Sequence, residues 1–338
     1  MNHTRRILGA STALALALSM VACSNDAEPS NSSDPSSTSS TTSATDGSST
    51  EQSSESNAGG HTFTGDDGNE ITVESTERIL VLDDATVDIL EALEMNDSIA
   101  FAPESTMVKD KVSAAEPFPA GKGAVTVEGV IEMNPSLVIG TNMRRHADLI
   151  SGLQDAGIPA TLIDASQPAP DIITKTATVV GKEEEGTELA ESVEEDIKQA
   201  EKNASDISEK KRVMVLSSRG AGDSGNTTAA GQQTPAHQIV KAAGGINTGA
   251  ESGLDRYQTI TGEGLAAAAP DVIVVSDDEI DDLGGEDGIW DHVDGLAGTP
   301  AAENKALVVM PHGLIARASV NTGKAALELQ EALYPELS

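Results

Sequence analysis

A phenol next to one guanidinium and an imidazole next to two others are the groups in this 338-residue chain whose types and spacing could bind something. Tyr257 is one of two tyrosines; it directly follows Arg256, after a glycine-rich stretch and ahead of a helix start. A phenolate is a hard anionic oxygen donor and suits an oxidised metal such as ferric iron. A free phenol ionises at about 10, so the metal and a nearby cation must favour the anion. The competing reading is a tyrosine packed at a lobe edge. His146 closes the run Thr-Asn-Met-Arg-Arg-His. A neutral imidazole can ligate a metal, and the forks of Arg144 and Arg145 match carboxylate geometry. The plain alternative is a charged surface turn. Arg219, past a strand expected to end at Ser217, is another cation of this kind. Met310 and His312, at the end of the last strand, read as pocket wall rather than ligands. Tyr334, in a helical stretch near the C-terminus, reads as packing.

Composition limits what these groups can serve. Lys plus Arg is 21 and Asp plus Glu is 55, a formal charge of −34. Such a field repels phosphate backbones, which argues against nucleic acid as partner; aromatics at 2% also leave no base-stacking platform. The single cysteine, Cys23, excludes an intramolecular disulfide framework and a thiolate metal cluster. Residues 1–23 read as a secretory signal, with a basic start, an apolar run from Ile7 to Val21, then Ala22 and Cys23. Val21-Ala22-Cys23 resembles the core of a lipobox, which would make Cys23 a lipid attachment point on the outer face of a cell membrane. The other reading is an ordinary signal with an incidental cysteine. Residues 24–60 are dominated by Ser and Thr and contain no Lys or Arg. They bury too little to offset chain entropy and read as a tether.

The elements that must position the candidates follow. Residues 78–82, 98–102, 137–140 and 160–164 read as strands, with helices over 86–93 and 147–156. The second half repeats the alternation, with strands over 212–217, 271–276 and 306–310 and helices over 235–243 and 262–268. This implies an α/β fold of parallel sheets covered by helices. One phrase occurs twice: TVEGVIEMNPSLVIG at 126–140 and TGEGLAAAAPDVIVV at 261–275. In each, a glutamate (Glu128, Glu263) lies in a first helical turn, where the dipole favours it, and a proline separates helix from strand. The repeat implies two lobes, 61–182 and 211–338. A charged helix within 183–210, read most clearly over 187–209, would be a stiff connector between them; Glu194 and Lys198 are an i,i+4 pair in the favourable order.

The stretch from about Arg78 to Leu337 resembles the helical-backbone class of ABC-transporter substrate-binding proteins, the class III periplasmic-binding-protein fold. Within it, the chain is most similar to the haem-uptake lipoproteins of corynebacteria and relatives. The phrases that carry this are RILVLDDATVDILEALEM, RVMVLSSRGAGDSGNTTAAGQQTPAHQIVKAAGGINTGAE and YQTITGEGLAAAAPDVIVV. The resemblance implies two Rossmann-like lobes joined by one long helix, ferric haem as ligand, and Tyr257 and His146 as its axial ligands. Arg144, Arg145, Arg256 and Arg219 would serve the propionates or surround the ligands. Relatives with this tyrosine and histidine can carry an arginine two residues after the tyrosine; here Thr259 stands there and the arginine precedes. Glu128 and Glu263 match the carboxylates that contact permease arginines in the family; the competing reading is that they only cap their helices. The expected partners are haem and an ABC permease, with a lipid anchor as the membrane contact, and the carrier is expected to be a monomer. No nucleophile–base pair is visible, so no enzyme is expected. The runners-up are a ferric siderophore or cobalamin carrier of the same fold, and a haem-relay or adhesion protein that never meets a permease.

Three signals carry less. Gly222-Asp223-Ser224-Gly225 is followed by Asn226 rather than glycine and reads as a flexible loop, not a protease nucleophile. The acids at 277–282 lack EF-hand spacing and read as a solvated loop. No His-Glu-x-x-His helix is present in the sequence.

Overall fold

The computed structural model describes residues 60–104, 108–119, 125–219 and 227–337. The signal, Cys23, nearly all of the tether and the loop 222–225 lie outside the described residues. Among those described, no helix is long and apolar enough to cross a membrane.

A short antiparallel hairpin comes first, β1 (His61–Thr64) with β2 (Glu70–Val73). The first lobe follows as five parallel strands: β3 (Ile79–Val81), β4 (Ile99–Pro103), β5 (Glu116–Phe118), β6 (Leu137–Gly140) and β7 (Ala160–Leu162), in the order β5-β4-β3-β6-β7. Strands β3, β6 and β7 are buried along their whole length, as expected when helices cover both faces. The strand order reverses between β3 and β6. A crevice therefore opens past their carboxyl ends, at Leu82–Asp83 and Thr141–Asn142. Asp83 braces this point. Its carboxylate accepts the Thr86 amide at 3.0 Å, capping the helix Asp84–Ala92, and the Thr141 amide at 2.5 Å. Gly140 permits the close approach, since a Cβ there would lie 2.7 Å from the Leu82 Cβ.

The second lobe is built on β8 (Arg212–Ser217), β9 (Thr228–Ala229), β10 (Ile246–Asn247), β11 (Gln258–Thr259), β12 (Val272–Ser276) and β13 (Leu307–Met310). Its centre, β8-β12-β13, is parallel as the sequence implies. Its edge is not: β9 runs antiparallel to β8, and β11 antiparallel to β9. These two-residue strands are too short for a period to show.

The connecting helix runs Glu183–Asn203, starting earlier than 187 and ending before 209. Three glutamates fill its first turn, where the dipole favours them; Ala204–Asp206 then tightens into a 3-10 turn. Ala190 and Val193 pack in the first lobe's core, while Ala200 meets Ala242 and Ala326 of the second. It is not the sole crossing. After the helix His312–Ile315, residues 316–320 return to the first lobe, where Ala318 is part of the core and Val320 packs against it. The chain then closes on the helix Thr322–Leu333.

Candidate functional site

A cleft of ≈ 1210 Å³ lies where the two crevices face each other, ample for a drug-sized or larger ligand. The first lobe contributes Asp83, Thr141, Asn142, Met143, Arg144, Arg145 and His146. The second contributes Arg219, Arg256, Tyr257, Gln258 and His312, and Arg317 comes from the returning segment 316–320. Most of the candidate residues thus share one cavity, and from opposite walls.

On the first wall, the helix carrying His146 starts at Met143, not 147. The Asn142 side chain accepts the Arg145 amide at 3.0 Å, an N-cap visible in the sequence. His146 is therefore fixed in a first helical turn rather than on a loop. Its imidazole pKa is lowered. Burial is the main cause; the Asp83 carboxylate pulls the other way and Arg145 adds to the fall. The ring is thus neutral near pH 7, and its buried Nδ1 has no hydrogen-bond partner among the described residues. Arg144 and Arg145 are exposed, and among the described residues neither meets a carboxylate within 4.0 Å.

On the opposite wall, Tyr257 is half-buried on a loop pinned to the segment after β9. The amides of Gly231 and Gln232 donate to the carbonyls of Arg256 (2.9 Å) and Leu254 (2.8 Å), and the Gln233 amide to that of Asp255 (2.5 Å). Only glycine fits at 231, since a Cβ would lie 2.2 Å from the Leu254 carbonyl oxygen. Burial pushes the phenol pKa well above its ordinary value, and the Glu279 carboxylate raises it further. Tyr257 is therefore a neutral phenol in the free protein and would have to release a proton before binding a metal. Arg256 is exposed beside it. Tyr334 is buried in the second core. Its hydroxyl accepts the Lys211 amide at 2.7 Å and donates to the Gly244 carbonyl at 3.0 Å. Tyr257 is left as the one tyrosine at the cleft.

The acids after β12 are not a solvated loop throughout. Glu279 is 3% exposed and accepts from the Ser217 hydroxyl at 2.5 Å and the Ser218 amide at 2.6 Å. Arg219 pairs with Asp278 at 2.5 Å, and His312 Nδ1 lies 3.1 Å from Asp278 and 3.7 Å from Glu279. Arg219 reaches the cleft already engaged. Met310 is a correction: it ends β13 pointing into the core with Ile315 and Leu329, and does not line the cleft. Sequence reasoning passed over Arg317. It lines the cleft, is 13% exposed, and its Nη1 lies 3.1 Å from Asp88 and 3.8 Å from Asp84. Its partners are more than two hundred residues away in sequence, and no local pattern marks such a pair. Glu128 and Glu263 stand exposed at matching first turns, away from the cleft lining.

The profile of the family described as "Periplasmic binding protein" matches residues 79–313. No curated protein matches the chain. Among solved structures, it is similar to the periplasmic heme-binding protein RhuT from Roseiflexus sp. RS-1 in apo form, at 27% identity and TM-score 0.68, covering 78% of this chain and 100% of that one. It is also similar to the heme binding protein HmuT, at 25% identity and TM-score 0.68, covering 81% and 89%. The periplasmic heme binding protein HutB of Vibrio cholerae shares the fold, at 23% identity and TM-score 0.64, covering 77% and 100%.

Proposed function

The chain belongs to the periplasmic binding protein family, whose members bind solutes and are not enzymes, and on that premise we propose that it captures ferric haem in the cleft for delivery to an ABC permease. The phenolate of Tyr257 takes one axial position of the iron, as a hard anionic donor suits Fe(III). The neutral imidazole of His146 takes the other, from the facing lobe. Arg144, Arg145 and Arg256 receive the propionates. Arg219, already paired, and His312 form wall around them. Glu128 and Glu263 meet basic residues of the permease and set docking register more than affinity. Residues 1–23 are the signal that leaves a lipid on Cys23, 24–60 the tether, and 61–182, 183–210 and 211–338 the two lobes with their connector. The carrier is a monomer, held at the outer face of the membrane.

One observation carries this reading: a single cleft is lined by the only accessible tyrosine on one wall and, on the other, by a neutral histidine beside two arginines that meet no carboxylate among the described residues. The heme-binding proteins RhuT and HmuT, at 27% and 25% identity, support haem as the ligand. A siderophore or cobalamin carrier has no need of that facing pair. Titrating the purified protein with haemin should give a Soret band that Tyr257→Ala weakens or shifts and Tyr334→Phe leaves alone. Equal spectra for the two variants would overturn the assignment.

A further inference from the structure

Both lobes expose the same turn of chain, and that identity of backbone makes one difference in side chains legible. Thr126 and Thr261 cap the helices Val127–Met133 and Gly262–Ala268, each accepting an amide at 3.1 Å, from Gly129 and Gly264. Both helices end in the left-handed region, at Asn134 (φ 49°, ψ 57°) and Ala269 (φ 42°, ψ 60°). Val130 and Leu265 are the buried residues at the same place in each. Glu128 and Glu263 are exposed at equivalent points, as are the two positions that follow the buried residue.

At those two positions the lobes part. The second lobe has Ala266 and Ala267; the first has Ile131 and Glu132. Ile131 is 46% exposed, and with Leu337 it makes up the large exposed hydrophobics among the described residues. Alanine is the better helix former, and the nearly half of Ile131 that stays in water gains nothing from burial. The fold of this chain thus gives little reason for an isoleucine, and the second lobe shows that alanine serves at the equivalent place. Single exposed apolar residues are common on surfaces. This one lies one turn from Glu128, on the same helix face, and beside Glu132. Both helices also start close to the cleft: Val125 and Gln258, a few residues upstream of each, line it. A partner that receives the cleft's contents would therefore approach both tips.

We propose that Ile131 is an apolar anchor for the permease, seated in a hollow rimmed by basic side chains that take Glu128 and Glu132, so that the first lobe's tip docks more strongly than the second's. An apolar centre within a charged rim is how small interfaces concentrate their energy, and a chain of charge −34 selects a basic rim. The inference rests on the carrier reading above. Its test is haemin uptake by cells in which the full-length chain replaces the native copy at limiting amounts, with Soret titration of each purified variant alongside. Ile131→Ser should slow uptake about tenfold, the usual scale for losing an anchor, with Ile131→Gln as a second variant should the first fold poorly. Ile131→Val and Ala266→Ser should transport like the parent chain, and every Soret band should stay the same. Parental uptake by both polar variants at 131, or an equal loss from Ala266→Ser, would overturn the anchor. If Glu128→Ala with Glu263→Ala slows uptake while the polar variants at 131 do not, the anchor fails and permease docking stands. Parental uptake by that glutamate pair would overturn docking itself, and a parent chain without a Soret band would overturn the haem reading.

Discussion

Each lobe buries a carboxylate near the cleft, and the two are neutralised differently. In the first lobe Asp88, 2% exposed, meets Lys111 at 2.8 Å and Arg317 at 3.1 Å; the arginine arrives on the returning 316–320 segment. In the second lobe Glu279 is served from within its own lobe, by the Ser217 hydroxyl, the Ser218 amide and the nearby Arg219 and His312. The consequence appears in what remains free. Among the described residues the first lobe's own Arg144 and Arg145 meet no carboxylate at the cleft, beside a neutral imidazole, while in the second lobe Arg219 is held by its own acids and Arg256 is the one cleft arginine without such a contact. The first wall is therefore equipped for the anionic edge of a ligand, and the second offers a phenol backed by a negative charge. The proposed division of labour follows: the propionates fall mainly to the first lobe's pair of arginines, with Arg256 the second lobe's single contribution, and the phenolate comes from the second lobe alone.

The sharpest way to break that division is pH. Below the phenol's raised pKa, each ferric ion that takes the phenolate of Tyr257 expels one proton. Haem affinity should then rise about tenfold per pH unit, near a hundredfold from pH 6 to 8. Haemin titrations across that range should show the slope in the parent chain and lose it in Tyr257→Phe. A flat profile in the parent chain would mean that iron is held by something other than this phenol.

Next in size is the contrast between the two buried acids. Arg317→Ala leaves Asp88 with Lys111 alone and should lower unfolding free energy by about 2 kcal/mol. Arg219→Ala should cost under about 1 kcal/mol, because its side chain is half exposed and Glu279 keeps its hydroxyl and amide donors. Urea melts of the two variants decide it, and equal losses would erase the distinction between the lobes. On the proposed ligation, about tenfold in affinity should go with His146→Ala, together with a shifted Soret band, because the imidazole donor would be lost and Tyr257 would remain.

The parts of the molecule that could be read from sequence are those with local signatures. The repeat at 126–140 and 261–275 predicted two matching helix–proline–strand units, and both are present down to the threonine caps. The long strands with buried runs, β6, β8 and β12, were legible for the same reason. Asn142 was a readable cap that would have placed His146 inside a helix. The antiparallel edge of β9 and β11 was not legible, because its pairing comes from the fold around Gly231 rather than from any period in two residues. Arg317 and the burial of Glu279 depend on long-range neighbours, and among acidic and basic side chains the sequence gives exposure as the default.

The smallest effect tests the first wall directly. Arg144→Gln with Arg145→Gln should weaken haem binding only about threefold at physiological salt, because exposed charge pairs contribute little each. The loss should grow at low ionic strength, where screening over the distance between exposed groups falls away. The same double exchange should leave the pH slope intact, since neither arginine affects the phenol's ionisation. Measured together, salt and pH separate the two walls: a change in salt dependence without a change in proton release assigns the arginines to the ligand's edge and the tyrosine to its metal. Were the double variant instead to alter the pH slope, the two walls would act on the same atom, and the difference between the lobes would be one of strength and not of kind.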